Sequence, residues 1–176
     1  TAYDFKVMTN KLKSPWGIAV LSDGKLLITE KEGNMRIVNA AGNISEAIAG
    51  LPKVDARAQG GLLGLVLDPQ FSTNRSVYWA FTEAGTNGNH TAVAKGTLSK
   101  DEKSMQNAKV IYRSTHTHRG ALHYGGRLVF DKSGNLLVTI GERSDQSTRV
   151  LAQDLKSSLG KIIRITKDGK PAANNP

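Results

Sequence analysis

Residues 127–142 read Arg-Leu-Val-Phe-Asp-Lys-Ser-Gly-Asn-Leu-Leu-Val-Thr-Ile-Gly-Glu, a short apolar run, an Asp/Gly turn and a second apolar run. Residues 17–30 repeat the plan as Gly-Ile-Ala-Val-Leu-Ser-Asp-Gly-Lys-Leu-Leu-Ile-Thr-Glu. A looser copy starts at Gly64, passes Leu65-Val66-Leu67-Asp68, turns through Asn74 and returns along Ser76 to Thr82. Apolar runs rich in Val, Ile and Leu, separated by Gly and Asp turns, predict antiparallel hairpins rather than βαβ units. Each copy goes on to a third apolar run: Arg36 to Val38, Ala92 to Ala94, and Lys161 to Thr166.

Aligning Val20, Leu67 and Phe130 gives spacings of 47 and 63 residues. The first is near the roughly 40–45 residues of a propeller blade, and the second requires an insertion. The reading is therefore all-β, a β-propeller of four-stranded antiparallel blades, with about three blades present. Three do not close a ring, because propellers use roughly four to eight blades. Residues 1–176 are accordingly expected to be the amino-terminal portion of a single larger propeller domain. Helical periodicity is weak; one turn is expected over 153–158, and Tyr3 to Met8 alternates like a lone strand completing a neighbouring blade.

Composition removes several function classes. At 39% hydrophobic and 22% charged residues the chain is an ordinary globular protein, not a disordered one. It has no cysteine, which excludes a disulfide scaffold and thiolate metal sites. No apolar run reaches the roughly 18 residues of a membrane-spanning helix. The formal charge is +9, yet the lysines and arginines are scattered, and only 6% of residues are aromatic. Nucleic-acid binding wants a clustered basic face with stacking platforms, so it ranks behind an anionic ligand or a plain solvated basic surface.

Three segments are richer than blades require. Ala58-Gln59-Gly60-Gly61-Leu62-Leu63-Gly64 places glycines around a polar Gln59, as needed where backbone approaches a ligand or another blade. Leu122-His123-Tyr124-Gly125-Gly126-Arg127 sets His123 just before a strand, at the mouth of a blade, where it is either a structural histidine or a base. Ile140-Gly141-Glu142-Arg143 ends the strand paired with it, so Glu142 reaches His123 if the hairpin forms; the plain alternative is a surface ion pair. His116, His118 and His123 have the spacing of a zinc set, His-x-His on a strand with a third imidazole following. Against zinc, the segment reads as an exposed connection in which Arg119 repels a cation.

Taken in order, Ser-Pro-Trp-Gly-Ile-Ala (14–19), Gln-Gly-Gly-Leu-Leu-Gly (59–64), His-Tyr-Gly-Gly-Arg-Leu (123–128), Ile-Gly-Glu-Arg (140–143), Ala-Gln-Asp-Leu (152–155) and Leu-Gly-Lys-Ile-Ile-Arg-Ile (159–165) resemble the glucose/sorbosone dehydrogenase family. More narrowly, they resemble its soluble aldose sugar dehydrogenases, which use pyrroloquinoline quinone. The resemblance implies a six-bladed β-propeller exported to the periplasm or secreted, with quinone and calcium at the top centre. It implies that aldose sugars are oxidised at the anomeric carbon to lactones and that an electron acceptor of unknown identity follows. By the same resemblance His123 is the general base and a cofactor contact, Glu142 the acid that supports it, and Gln59 a cofactor contact. Leu122 stands where the strict glucose enzymes carry a second acid, which favours the broader aldose type. The family's other quinone and calcium ligands fall in later blades, so the partners expected are a sugar and the remaining half of the ring. The competing class is a non-catalytic binding propeller.

Overall fold

The computed structural model describes residues 2–175. Three antiparallel sheets follow one another along the chain. The first blade holds β1 (Pro15–Val20), β2 (Leu26–Glu30) and β3 (Asn34–Val38). The second holds β4 (Leu62–Leu67), β5 (Ser76–Gly85), β6 (Gly88–Leu98) and β7 (Met105–Arg113). The third holds β8 (Gly125–Phe130), β9 (Leu136–Ile140) and β10 (Lys161–Ile165). Every strand expected from the repeats is present, and consecutive strands pair in order within each blade.

Only the middle blade has four strands among the described residues. In the first, the chain beyond β3 makes one bridge, Val38 with Ile44, and then leaves to pair Ala49 in parallel with Ser104 at the edge of the second blade. In the third, the return after β10 stops at a single bridge from Ile165 to Pro171. Proline has no N–H to continue a ladder.

Burial explains why the blades stack. In β5 the run Val77-Tyr78-Trp79-Ala80-Phe81 is apolar on both sides, and all five residues are buried. Val77, Trp79 and Phe81 pack with Leu27, Met35 and Ile37 of the first blade. Tyr78 and Ala80 pack the other way, with Leu128, Leu136 and Val138 of the third. The two-residue period of a strand thus sends alternate side chains into two separate cores, one on each face of the central blade. The Tyr78 ring meets Phe130 edge-on at 5.1 Å across the second core. The outer blades have no such second neighbour: Trp16, Ile18 and Val20 of β1, and Val129 and Ile162 of the third blade, are exposed.

A common device shapes the start of each blade. The innermost strands β1, β4 and β8 each shift register in their first turn, between Pro15 and Ile18, Leu62 and Leu65, and Gly125 and Leu128. In each blade a threonine hydroxyl of the second strand accepts a backbone N–H at or just before that irregularity: Thr29 from Gly17 and Thr139 from Arg127 within it, and Thr82 from Gly61, the residue before β4. A bulge leaves a backbone donor unpaired, and the hydroxyl satisfies it.

Two sequence expectations fail. Tyr3 to Met8 forms no strand, and Tyr3, Phe5 and Val7 are exposed, so their alternation has no face to bury. The helical turns fall earlier than 153–158, as α2 (Gln146–Arg149) and a 3₁₀ turn (Val150–Gln153). Asp145 starts them by accepting the Ser147 N–H, and the backbone is already extended at Asp154. A further short helix, α1 (Phe71–Asn74), occupies the β4–β5 connection.

Candidate functional site

The β8–β9 ladder begins with Gly125 opposite Ile140. Two residues beyond this pair on each strand lie His123 and Glu142, which the ladder therefore brings side by side. His123 Nδ1 and Glu142 Oε1 are 2.7 Å apart. The strand ends come this close because glycine flanks them: a Cβ on Gly141 would lie 2.1 Å from the His123 carbonyl oxygen. His123 itself has φ +49°, a left-handed conformation that a side chain adopts only when its surroundings impose it.

Glu142 is held on both oxygens. Oε1 takes the imidazole, and Oε2 accepts the Ser144 N–H at 3.1 Å. The bond from His123, followed by the Ser144 N–H and the charge of Arg149, holds its carboxyl below the ordinary value of 4.5, against a smaller opposing effect of burial. An ionised Glu142 fixes the imidazole tautomer. In the neutral ring the proton sits on Nδ1 and donates to Oε1, leaving Nε2 as an acceptor on a side chain that is 54% exposed.

Gln59 arrives from the second blade. Its Oε1 accepts the His123 backbone N–H at 2.8 Å, and its backbone N–H donates to the Ala121 carbonyl at 3.0 Å. This orients the Gln59 amide, and its side-chain nitrogen has no protein acceptor among the described residues. The three residues singled out in the sequence are thus together. Of the two close approaches expected for this glycine-rich segment, Gly61 and Gly64 make the one between blades: a Cβ on Gly61 would meet the Lys31 carbonyl oxygen at 2.0 Å, and one on Gly64 that of Gly126 at 2.3 Å.

The zinc arrangement does not form. His116 and His118 lie off any strand, and the three imidazoles have different partners. His116 Nδ1 meets Thr115 Oγ1 at 2.8 Å, His118 Nε2 lies 3.7 Å from Asp145, and His123 is with Glu142.

Sequence reasoning missed the buried layer beneath the site. Arg143, directly after Glu142, is only 2% exposed. Its guanidinium donates to the carbonyls of Leu122 (3.0 Å), Asn89 (3.1 Å) and Gly120 (2.6 Å) and to Asn89 Oδ1 (2.6 Å). The Tyr124 hydroxyl donates to the same Asn89 oxygen at 2.7 Å, and its ring centre lies 4.0 Å from the guanidinium carbon. Burial pulls the Arg143 pKa below its ordinary value, with partial compensation from Tyr124 and the more distant Asp55. The sole pointer in the sequence was the place of Arg143 within Ile-Gly-Glu-Arg; nothing marked Asn89, on the neighbouring blade.

The same fold recurs in known proteins. The family model described as Glucose / Sorbosone dehydrogenase matches residues 12–176. The Escherichia coli (strain K12) aldose sugar dehydrogenase YliI is 37% identical over 173 residues, covering 97% of this chain and 46% of that protein. The apo crystal structure of the soluble aldose sugar dehydrogenase from Escherichia coli superposes with a TM-score of 0.91 at 35% identity, over 97% of this chain and 49% of that one. The quinone-bound (PQQ) aldose sugar dehydrogenase from Streptomyces coelicolor gives 0.81 at 30% identity, over 97% and 50%. The chain spans about half the length of the relatives it matches. No helix among the described residues is long and apolar enough to cross a membrane.

Proposed function

The chain belongs to the Glucose / Sorbosone dehydrogenase family, and from that membership we propose that it supplies the general base of a quinone-dependent aldose sugar dehydrogenase. Residues 1–176 are then the amino-terminal portion of one propeller domain, and by themselves inactive. The substrate is an aldose oxidised at the anomeric carbon to a lactone, and the compartment is the periplasm or the outside of the cell.

The observation that carries the proposal is the 2.7 Å contact of His123 Nδ1 with Glu142, which leaves Nε2 exposed as an acceptor. Nε2 takes the proton of the anomeric hydroxyl, and the ionised Glu142 stabilises the imidazolium that results. Gln59 holds the His123 backbone through its Oε1 and presents its amide nitrogen as a donor. Pyrroloquinoline quinone, when bound, supplies the acceptor for the hydride leaving the anomeric carbon. The Gln59 amide N–H suits a quinone carbonyl oxygen, and the exposed His123 ring leaves room for a ligand over it. Calcium fits this portion less well, since no group of three or more His, Asp or Glu side chains comes together among the described residues. Its ligands would have to come from elsewhere in the ring.

The test is dye reduction by a panel of aldoses with the full-length protein, reconstituted with quinone and calcium. His123→Asn is expected to lower the rate by about 10²- to 10⁴-fold, the usual worth of a general base, with thermal stability nearly unchanged. A His123→Asn enzyme that turns over at the parental rate removes the assignment. A folded full-length protein that oxidises no aldose leaves a binding propeller as the better description.

A further inference from the structure

Arg143 is a charge in an odd place. It is buried, and none of its four hydrogen bonds goes to a carboxylate; all go to amide oxygens. Removing a charge from water without an ionic partner is unfavourable, and a core position could be filled more simply by an apolar side chain. What the guanidinium touches indicates why it is there. Gly120 and Leu122 lie on the connection that carries His123, which has no strand or helix from Ser114 to Tyr124 to stiffen it. Asn89 lies on β6 of the second blade, paired with Ala84 of β5. It also meets the connection directly, through paired backbone bonds to His118 of 2.9 and 3.0 Å and from its side-chain nitrogen to the Gly120 carbonyl at 3.1 Å, so the guanidinium completes a seam of contacts there. Arg143 also donates its own backbone N–H to the His123 carbonyl at 3.2 Å, and it follows Glu142 in the chain.

The geometry points to Arg143 as the positioning residue of this site: its buried guanidinium ties the Gly120–Leu122 connection to Asn89 and so holds the His123 imidazole against Glu142. The role rests on His123 being the base, as proposed above. A planar fork is required, because the acceptors come from three different residues around one guanidinium, with Tyr124 covering its face. Lysine offers a point charge without that fixed geometry. Without the clamp, only the Gln59 side chain and the Arg143 backbone N–H are left to hold the left-handed backbone of His123, and the Nδ1–H bond to Glu142 loosens.

The experiment uses the full-length enzyme with quinone and calcium, carrying Arg143→Met, Arg143→Lys or Asn89→Ala, beside His123→Asn. Two readouts are taken: kcat and KM for the sugar, and the ¹⁵N-histidine spectrum reporting the tautomer and bonded Nδ1–H of His123. Arg143→Met is expected to lower kcat by about 10- to 10²-fold, the scale of a misplacement near 1 Å, with KM little changed. The bonded Nδ1–H signal should be lost as well. Arg143→Lys should fall between, and Asn89→Ala should show the same signature more weakly. An unchanged His123 signal in a folded Arg143→Met or Asn89→Ala protein overturns the proposal, whatever happens to kcat. Failure of all three variants to fold makes Arg143 a folding residue and overturns it too. Should His123→Asn remain active, the assignment of the base fails, while the spectrum still reports on the clamp.

Discussion

Glu142→Gln separates the charge of this side chain from its shape. Glutamine keeps an oxygen able to accept from Nδ1 at about the distance seen, 2.7 Å, so the tautomer of His123 is retained in the ground state. What is lost is the negative charge facing the imidazolium that forms once Nε2 has taken a proton. Hydrogen bonds to charged groups contribute about 1.5–3 kcal/mol, against about 1 for neutral ones. The site is open on the His123 side, with that side chain 54% exposed, so solvent screening places the difference toward the lower end. A difference of about 0.5–1 kcal/mol corresponds to roughly a 2- to 5-fold fall in kcat. Sugar KM and quinone affinity should stay close to parental values, because the lost interaction strengthens only as the proton moves. Steady-state dye reduction in the full-length enzyme, with a quinone titration alongside, measures all three. If Glu142→Gln matched the parental kcat, the carboxylate would not be supporting the base. If it were as slow as His123→Asn, Glu142 would be handling the proton itself, and the division of labour between the two side chains would be wrong.

Gly141→Ala should reach the same pair from the backbone: its Cβ, 2.1 Å from the His123 carbonyl oxygen, forces the strand ends apart. A destabilisation of about 1–3 kcal/mol is expected, with a lower kcat, and a parental Tm would refute the close approach. Acid should weaken the fold through depressed carboxyls. Glu83 is held low chiefly by Arg113, and Glu30, despite burial, by the Lys13 N–H and Arg36. A lowered folded-state pKa gives stability that is present above the ordinary value of 4.5 and is lost as pH falls through the folded-state value. Thermal unfolding from about pH 6 to about pH 3 should therefore show a falling Tm, with a shallower fall in Glu83→Gln. Residues 1–176 produced alone should self-associate through the exposed Trp16, Ile18 and Val20 of β1 and the Val129 and Ile162 face of the third blade. Size-exclusion chromatography giving a stable monomer would contradict this.

What the sequence made legible was local or periodic. The hairpins could be found because Asp23-Gly24 and Asp131 to Asn135 are turns with a chemistry of their own: Gly24 and Gly134 take positive φ, and Asp23 and Asp131 accept backbone N–H groups within the turn. Once β8 and β9 were paired, the meeting of His123 and Glu142 followed from counting along the strands. Tyr3 to Met8 misled because alternation marks a strand only where one face can be buried. The short helices were overlooked or misplaced since four residues give too little periodicity to detect, and the cap at Asp145 was the better signal. Asn89 was invisible for a different reason. Its link to Arg143 spans 54 residues, and it depends on how two blades stack, which no pattern within either blade encodes.

The proposed site belongs to no single repeat. His123 and Glu142 come from the third blade, but Gln59 precedes β4, and Asn89 sits on β6. Grafting the third blade into another ring would carry over the histidine and its carboxylate while leaving behind the side chains from the second blade. The unit that can be moved intact is the junction between the two blades, together with the Tyr78, Leu128 and Leu136 packing that sets their angle. Anyone recombining such rings should cut within the faces of blades and leave their seams whole.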